Sequence, residues 1–213
     1  MSKAARSFLN VIAFLFLATT FGWAGPYEDF KAGTSALDRG EYTAALQLFR
    51  SLAAQGITGA QWALGAMYLE GKGVPRDYAA ALMWHRQAAE QGHPLSQYEL
   101  GTMYDLGLGV SKDQAKAFKW FRRSAEQGYG DAQVNLGAMY FRGEGISRDH
   151  VEAYKWFSIA AAGGDYLDTR SNEPAKIDAA RRRDALARQM APAQIAEAQD
   201  RALQWKPRLE RMP

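Results

Sequence analysis

The sequence predicts an all-α protein, a right-handed superhelical α-solenoid of antiparallel helix pairs, and two observations support this. The first is an internal match at a fixed offset, because segments 59–92, 95–128 and 131–164 align without a gap. A constant period in this range is typical of solenoids, whose units each bury an apolar side against the next unit. The second is the spacing of apolar residues inside each unit, which recur every three or four positions as on one face of a helix.

Each unit is predicted to hold two helices. The first, helix A, places Ala60, Leu64 and Tyr68 on one face, and the second, helix B, does the same with Trp84 and Ala88. Equivalent residues recur in the other two units. We therefore expect the apolar faces of the two helices to pack against each other and against the neighbouring units.

A glycine pair, Gly71 and Gly73, separates the two helices of the first unit, in the stretch "LEGKGVPRDYAAALMW". A glycine-rich turn before a helix can bind a phosphate, since free backbone N–H groups and the helix dipole favour an anion there. This loop recurs in all three units between helical patterns and never follows a β-branched run, so a nucleotide loop is not favoured. We predict tight turns with positive φ angles, each followed by an aspartate N-cap at Asp77, Asp113 or Asp149.

Glycines recur at two further places in the unit. One set stands where helix B ends, and we predict the left-handed conformation there: Gly92, Gly128 and Gly164. The other set lies in the middle of helix A, where glycine costs about 1 kcal/mol relative to alanine: Gly65, Gly101 and Gly137. Because this cost is repeated in every unit, we expect helix B to cross helix A so closely that a Cβ atom would clash.

These residues carry a resemblance to a known family. The pattern A-x-x-x-L-G-x-x-Y-x-x-G-x-G-V-x-x-D-x-x-x-A-x-x-W-x-x-A-A-x-Q-G resembles the Sel-one-like repeat family (SLR), relatives of the tetratricopeptide repeats. Three units match it, and we place them at 59–94 (repeat 1), 95–130 (repeat 2) and 131–166 (repeat 3). The departures are small: Ile146 stands in place of valine, and "AAAGG" replaces "AAEQG" at the end of repeat 3.

Capping units are predicted on both sides of the repeats. Residues 25–58 follow the same template with a shorter turn and resemble a tetratricopeptide unit, which would serve as the N-terminal cap. Residues 167–206 are predicted to be C-terminal capping helices opened by Pro174 and Pro192. A stripe on the second of them is expected to bury against repeat 3: Ile195, Ala198, Ala202 and Trp205. Residues 207–213 have no periodicity, and we expect a frayed tail.

Residues 1–24 have the layout of a secretory signal peptide. Lys3 and Arg6 precede a charge-free apolar stretch, and small residues at Gly22 and Ala24 fit cleavage after Ala24. We therefore expect an exported protein, periplasmic or secreted. The alternative is an uncleaved membrane anchor, because about 20 residues without a charge could just span a bilayer. Membrane contact is expected only in that case.

Composition and motifs argue against several functions. Without the leader the chain carries 24 basic and 23 acidic side chains, so its charge gives no reason to expect nucleic acid binding. It has no cysteine, which rules out disulfides and thiolate metal sites. The histidines His85, His93 and His150 lie in different units and form no metal motif, and we interpret them as isolated surface or boundary residues. No catalytic arrangement is found, so we predict no enzyme, no cofactor and no metal.

The resemblance places the groove residues one helix face away from the core, and we call this surface the A-helix groove. The set recurs at equivalent positions in the three repeats: Trp62, Ala66 and Leu69; Tyr98, Thr102 and Asp105; Val134, Ala138 and Phe141. These residue types are exchanged from repeat to repeat, as expected of a surface suited to one partner, and exposed aromatic residues usually mark contacts. The alternative is that the aromatic ones are partly buried between neighbouring helices.

The functional prediction is a non-enzymatic adaptor or scaffold that binds a protein or an extended peptide in the cell envelope. The alternative is a regulatory subunit or inhibitor of an envelope enzyme, for example one that acts on the cell wall. The sequence makes no prediction about the oligomeric state.

Overall fold

The structure, a computed structural model, describes residues 25–163 and 173–210, and within these ranges it contains helices and no strand. The helices are α1 (Pro26–Asp38), α2 (Tyr42–Ala54), α3 (Thr58–Glu70), α4 (Tyr78–Glu90), α5 (Pro94–Leu106), α6 (Gln114–Glu126), α7 (Gly130–Arg142), α8 (His150–Ala161), α9 (Glu173–Ala187) and α10 (Pro192–Gln204). The proposed signal peptide at 1–24 lies outside the described residues, as does the link 164–172.

Consecutive helices from α1 to α9 pack against each other along the chain, as expected of a solenoid. The helix pairs α3–α4, α5–α6 and α7–α8 are the A and B helices of the three repeats, and α1–α2 stands before them. At the other end, α9 and α10 both pack on α8, and α9 also contacts α7. The all-α solenoid predicted from the 36-residue period is confirmed.

The predicted loop chemistry is confirmed at each repeat. Asp77 accepts hydrogen bonds from the backbone N–H groups of Ala79 and Ala80 at 2.9 and 3.0 Å, and the equivalent aspartates of the other repeats cap their helices in the same way. The second loop glycine also has a packing role that the sequence did not indicate. At Gly109, with φ of 68°, an added Cβ would lie 2.5 Å from the carbonyl oxygen of Tyr78 in the preceding repeat. Only glycine allows the loop to lie this close to its neighbour.

The close crossing of helices A and B is also confirmed. A Cβ built on Gly101 would lie 2.6 Å from Cδ1 of Phe121, and one on Gly137 would lie 2.8 Å from the ring of Phe157. In repeat 1 the ring over Gly65 is that of His85, at 2.6 Å. An aromatic or imidazole ring of helix B therefore fills the space that a side chain on helix A would need.

Buried glutamines connect each repeat to the next. Gln97, on helix A of repeat 2, donates to the carbonyl oxygen of Ala89 at 3.2 Å and accepts from Gln127 at 2.8 Å. Gln91 donates to Gln61 in the same way one repeat earlier, at 2.6 Å. The bonds from Gln97 to Ala89 and from Gln127 to Gly92 cross the repeat boundary, whereas each glutamine pair lies inside one repeat. Because buried polar groups must be paired, the bonds across the boundary fix the relative position of adjacent repeats.

The C-terminal helices cover the last repeat as predicted. Ala198 is fully buried in an apolar cluster that Ile195 also contacts, and Ala202 packs against a second cluster, formed by repeats 2 and 3. The ring of Trp205 meets that of Trp156 edge-on, with centroids 5.9 Å apart. The stripe on α10 therefore closes the apolar end of the solenoid, which terminal units must do.

The expectation of a frayed tail is wrong for residues 207–210. The backbone N–H of Arg208 donates to the carbonyl oxygen of Glu126 at 2.8 Å, and that of Glu210 donates to Oε1 of Gln127 at 3.2 Å. The segment lies back across repeat 2, because polar groups left over at the end of α6 pair with its backbone. Residues 211–213 lie outside the described part of the chain.

Within the described ranges, no helix has both the length and the apolar character that crossing a membrane requires.

Candidate partner-binding surface

In repeat 1, the predicted groove residues Trp62 and Ala66 line a pocket between α1 and α3. Its volume is about 250 Å³, several times the roughly 30 Å³ that one water molecule takes up in the liquid. Apolar side chains of the cap and repeat 1 share the lining with polar ones: Leu37, Phe49, Ala63, Met67, Thr34, Asp38, Glu70 and Lys72. Leu69, the third predicted residue, is half-buried. The space between these two A helices can therefore admit an apolar side chain.

In repeat 2, the three predicted residues are half-buried between neighbouring units. The Tyr98 ring lies 5.0 Å from that of Tyr129, edge-on, and burial raises the pKa of the Tyr98 phenol. Asp105 accepts a hydrogen bond from Nε2 of Gln114 at 2.7 Å, which ties it to its own repeat. Tyr98 therefore has a packing role in addition to lining the groove. Thr102 lies beside it on the same face of α5.

In repeat 3, the structure differs from the expected exposure. Val134 and Ala138 are buried, with 8% and 4% of their surface exposed, in a cluster that includes Leu186 of α9. The reason is that the C-terminal helices pack where a following repeat would stand. Phe141 is half-buried and stacks on the imidazole of His150, with centroids 5.7 Å apart. The accessible part of the A-helix groove is therefore its N-terminal part, from α1 to α5.

A carboxylate that the sequence analysis missed, Glu99, lies on the same side of α5. Its position is equivalent to that of Ala63, which lines the pocket in repeat 1. Burial, with smaller effects of the carboxylates of Glu70 and Asp131, raises the pKa of Glu99 to about 7. Together with Asp38 these groups make the groove acidic. The only sequence signal was that this position carries a different residue in each repeat.

We expect Glu99→Gln to stabilise the protein at high pH. The pKa of Glu99 is raised in the fold because the fold favours the neutral carboxyl. The stability that Glu99 contributes is therefore fully present below about pH 4.5 and is lost as the pH rises through 7. The variant should exceed wild type by about 2 to 3 kcal/mol near pH 8 and by much less near pH 5. Urea unfolding at the two pH values measures this, and an equal difference at both would contradict the assignment.

The interpretation of the histidines as surface or boundary residues is wrong for His85. This imidazole is fully buried, and neither ring nitrogen has a partner among the described residues. Burial, with a smaller effect of His93, lowers the pKa of His85 to about 4. His93 does lie at a repeat boundary, where its Nδ1 accepts from the backbone N–H of Ser96 at 3.3 Å. Burial lowers its pKa to about 4 as well.

We expect His85→Phe to stabilise the protein, and more so in acid. The equivalent positions hold Phe121 and Phe157, so the ring fits over glycine without buried unpaired nitrogens. Because the pKa of His85 is lowered in the fold, wild-type stability is present above about pH 6.5 and is lost as the pH falls toward 4. When the pH falls from about 8 to about 5, the free energy of unfolding of wild type should decrease by about 2 kcal/mol more than that of the variant. Thermal or urea unfolding checks this, and parallel pH profiles would contradict it.

The described residues contain no candidate metal centre. No group of three or more histidine, aspartate or glutamate side chains in these ranges could hold a metal ion. Burial is the largest cause of each large pKa shift among the described residues. The arrangement provides a contact surface with an apolar pocket and nearby carboxylates.

Comparisons with known proteins agree with this geometry. The chain resembles two solved structures, a Sel1 repeat protein from Oxalobacter formigenes and a protective antigen present in uropathogenic Escherichia coli strains, which displays an SLR fold. The first is 27% identical with a TM-score of 0.62 and is covered over 82% of its length by 83% of this chain. The second is 25% identical with a TM-score of 0.57, and 85% of this chain covers 45% of it.

A curated relative is the exopolysaccharide production negative regulator of Rhizobium leguminosarum bv. viciae. It is 41% identical over 54 residues, which are 25% of this chain and 20% of the relative. The matched stretch thus spans about a fifth of that protein.

The repeats themselves match a family model. The Sel1 repeat model matches residues 58–93, 94–129 and 130–165, which together make up just over half of the chain and begin one residue before the units that we placed. The chain therefore belongs to the Sel1 repeat family, whose repeats generally mediate protein–protein interaction.

Proposed function

We propose that this chain is an exported, non-enzymatic adaptor that binds a protein or an extended peptide in the cell envelope through the A-helix groove. The observation that carries this proposal is the pocket between α1 and α3, with Trp62 in its wall. Large aromatic side chains beside a pocket dominate the binding energy of many interfaces. The groove continues along α5 past Tyr98, which suits an elongated ligand better than a compact one.

The charge of the groove indicates the chemistry of the ligand. Asp38, Glu70 and Glu99 stand along the A helices, and only Lys72, which is paired with Glu70, offsets them in the pocket lining. A segment with an apolar anchor and flanking lysine or arginine residues would complement this surface. Such a cation would favour ionised Glu99, so we propose that binding tightens as the pH rises from about 6 to about 8. Nucleic acid has no place in this proposal.

The experiment begins with crosslinking capture by the mature chain from an envelope extract, followed by affinity measurements with the purified partner. Trp62→Ala should weaken binding by about 2 kcal/mol or more, roughly 30-fold. Glu70→Lys should also weaken binding, by placing a cation beside the pocket. The matched control is Glu90→Lys, the same charge change at an exposed position at the end of α4, a B helix. Equal affinities for all four proteins would refute the groove as the binding site.

A second candidate function is a regulatory subunit or inhibitor of an envelope enzyme, including one that acts on the cell wall. The name of the Rhizobium relative, a negative regulator of exopolysaccharide production, favours this alternative over a simple scaffold. The discriminating measurement is the activity of the partner with and without the saturating chain. An adaptor leaves that activity unchanged, whereas a regulatory subunit or inhibitor alters it.

The export part of the proposal rests on the leader at 1–24. We expect the isolated protein to begin near Gly25, because small residues at Gly22 and Ala24 fit a signal peptidase site. Intact mass of protein recovered from the envelope fraction measures this. A chain that retains residues 1–24 and stays with membranes after a carbonate wash would establish the anchored alternative.

A further inference from the structure

A short segment after α10, residues 206–210, occupies a polar site where the repeats join. Besides its two backbone hydrogen bonds, it places the carboxylate of Glu210 against both helices of repeat 2, beside the end of repeat 1. This carboxylate accepts from Nε2 of Gln97 at 3.0 Å and from Nε of Arg123 at 2.9 Å, with a second contact to the same guanidinium. The segment also passes close to Gly92, where an added Cβ would lie 3.0 Å from Cβ of Glu210. We call this place the junction site.

On the repeat side of the junction site, the side chains that contact segment 206–210 are buried or held by packing. Gln97 and Gln127 are 0% and 2% exposed, and they are hydrogen-bonded to each other inside repeat 2. The guanidinium of Arg123 lies over the ring of Trp120, with its Cζ 4.8 Å from the ring centroid. The donors that meet the carboxylate are therefore positioned by the repeats and not by the segment.

Two departures from the repeat pattern create this site in repeat 2. In repeat 1, Oε1 of Gln91 accepts from the hydroxyl of Thr58 at 2.8 Å. The residue equivalent to Thr58 in the next repeat is Pro94, which has no donor, so Oε1 of Gln127 is left to accept from a segment outside the repeats. The position of Arg123 is held by Gln87 in repeat 1, which has no charge. Repeat 2 alone thus combines an available acceptor with a cation.

The segment itself is held by few contacts. Leu209 is 69% exposed, Lys206 and Arg208 are also exposed, and the side chains of Glu210 and Arg123 are each about one-third exposed. An ion pair of this kind contributes little by itself and is screened by salt. The short connection to α10 makes the contact intramolecular, at an effective concentration on the order of millimolar. A ligand with additional contacts can therefore displace the segment.

We propose that the junction site is a second binding site, separate from the A-helix groove, for an extended peptide of a partner protein that presents a glutamate or aspartate. Segment 206–210 occupies it in the absence of the partner and competes with it. The site recognises the ligand backbone through the carbonyl oxygen of Glu126 and Oε1 of Gln127, and a glutamate or aspartate through Gln97 and Arg123. The charge preference is opposite to that of the acidic groove, so the two sites select different segments.

The test uses a labelled peptide with the sequence of residues 206–213, KPRLERMP, and the full chain in a fluorescence anisotropy titration. Wild type should bind weakly because its own segment competes, and Glu210→Ala should bind at least tenfold more tightly. Arg123→Gln, which introduces the glutamine found at the equivalent position of repeat 1, should abolish this gain in affinity when it is added to Glu210→Ala. The peptide KPRLQRMP should bind Glu210→Ala at least tenfold more weakly than KPRLERMP, whereas APAAEAAP should keep most of the affinity. The control is Glu197→Ala on α10, which removes a glutamate that pairs with Arg201 outside the site and should bind as wild type does.

Three outcomes would overturn the proposal. If Glu210→Ala binds KPRLERMP no better than wild type while circular dichroism shows an intact fold, the segment is a structural cap only. If KPRLQRMP binds as well as KPRLERMP, the site does not select a carboxylate. If wild type forms a dimer that Arg123→Gln dissociates, the ligand is the segment of a second copy and not a partner protein. The groove variants Trp62→Ala and Glu70→Lys should leave peptide binding unchanged, so this test is independent of the function proposed above.

Discussion

Trp156→Ala is expected to lower the free energy of unfolding by about 3 to 5 kcal/mol, the largest loss that we predict. Trp156 is the one tryptophan of the helix B series that is buried, at 4% exposure, whereas Trp84 and Trp120 are half-buried. It packs in a cluster with side chains of repeats 2 and 3 and meets Trp205 of the C-terminal cap. The substitution therefore leaves a cavity where three units join.

Urea unfolding followed by circular dichroism measures this loss. Trp205→Ala, which removes a half-buried ring at the edge of the same cluster, should cost clearly less. Leu203→Ala, at 86% exposure, is the control and should change stability by no more than about 0.5 kcal/mol. If Trp156→Ala and Trp205→Ala lowered stability equally, the cluster would not be organised as the structure has it.

Gly101→Ala should destabilise the protein by about 2 to 3 kcal/mol, although alanine is the better helix former by about 1 kcal/mol. The added Cβ would lie 2.6, 2.7 and 2.9 Å from three ring atoms of Phe121. That ring is 2% exposed and enclosed by the apolar cluster of repeats 2 and 3, so it cannot move aside without further cost. The close helix crossing, and not helix propensity, therefore decides whether Gly101→Ala raises or lowers the stability.

A double-mutant cycle isolates this contact. Phe121→Ala alone should be costly because it leaves a cavity. In its presence, however, Gly101→Ala should become neutral or stabilising, since the ring that the methyl group meets is gone. The coupling energy should exceed about 1 kcal/mol. Simple additivity of the two substitutions would show that the helices do not cross as closely as the structure indicates.

The sequence predicted the repeat architecture well because each part of it depends on local chemistry that recurs. Each aspartate cap, each loop glycine and each glycine at the helix crossing has a local physical reason. Because the period is 36 residues, the same feature recurs for the same reason in all three repeats. The close helix crossing at Gly101 could be anticipated, since the cost of a mid-helix glycine demands a compensating contact. The partner of the glycine, a ring of helix B, needed the structure.

The features that sequence reasoning missed depend on contacts between units. Val134 is buried because α9 and α10 occupy the place of a following repeat, and the order in which these helices pack is not written in the repeat pattern. His85 is buried because it replaces a phenylalanine over Gly65, a position recognisable only once the ring contact is known. Segment 207–210 has no periodicity of its own, and its contacts come from side chains in repeat 2. Long-range polar contacts of this kind leave no periodic signal.

Amide hydrogen exchange of the mature chain, measured with and without the partner obtained by capture, locates the binding surface directly. We predict that slowed exchange on binding is concentrated in α1, α3 and α5, around the pocket that Trp62 lines. Exchange in the B helices α4 and α6 should change little. Protection confined to the B helices, with α1 and α3 unaffected, would contradict the proposal that the A-helix groove binds the partner.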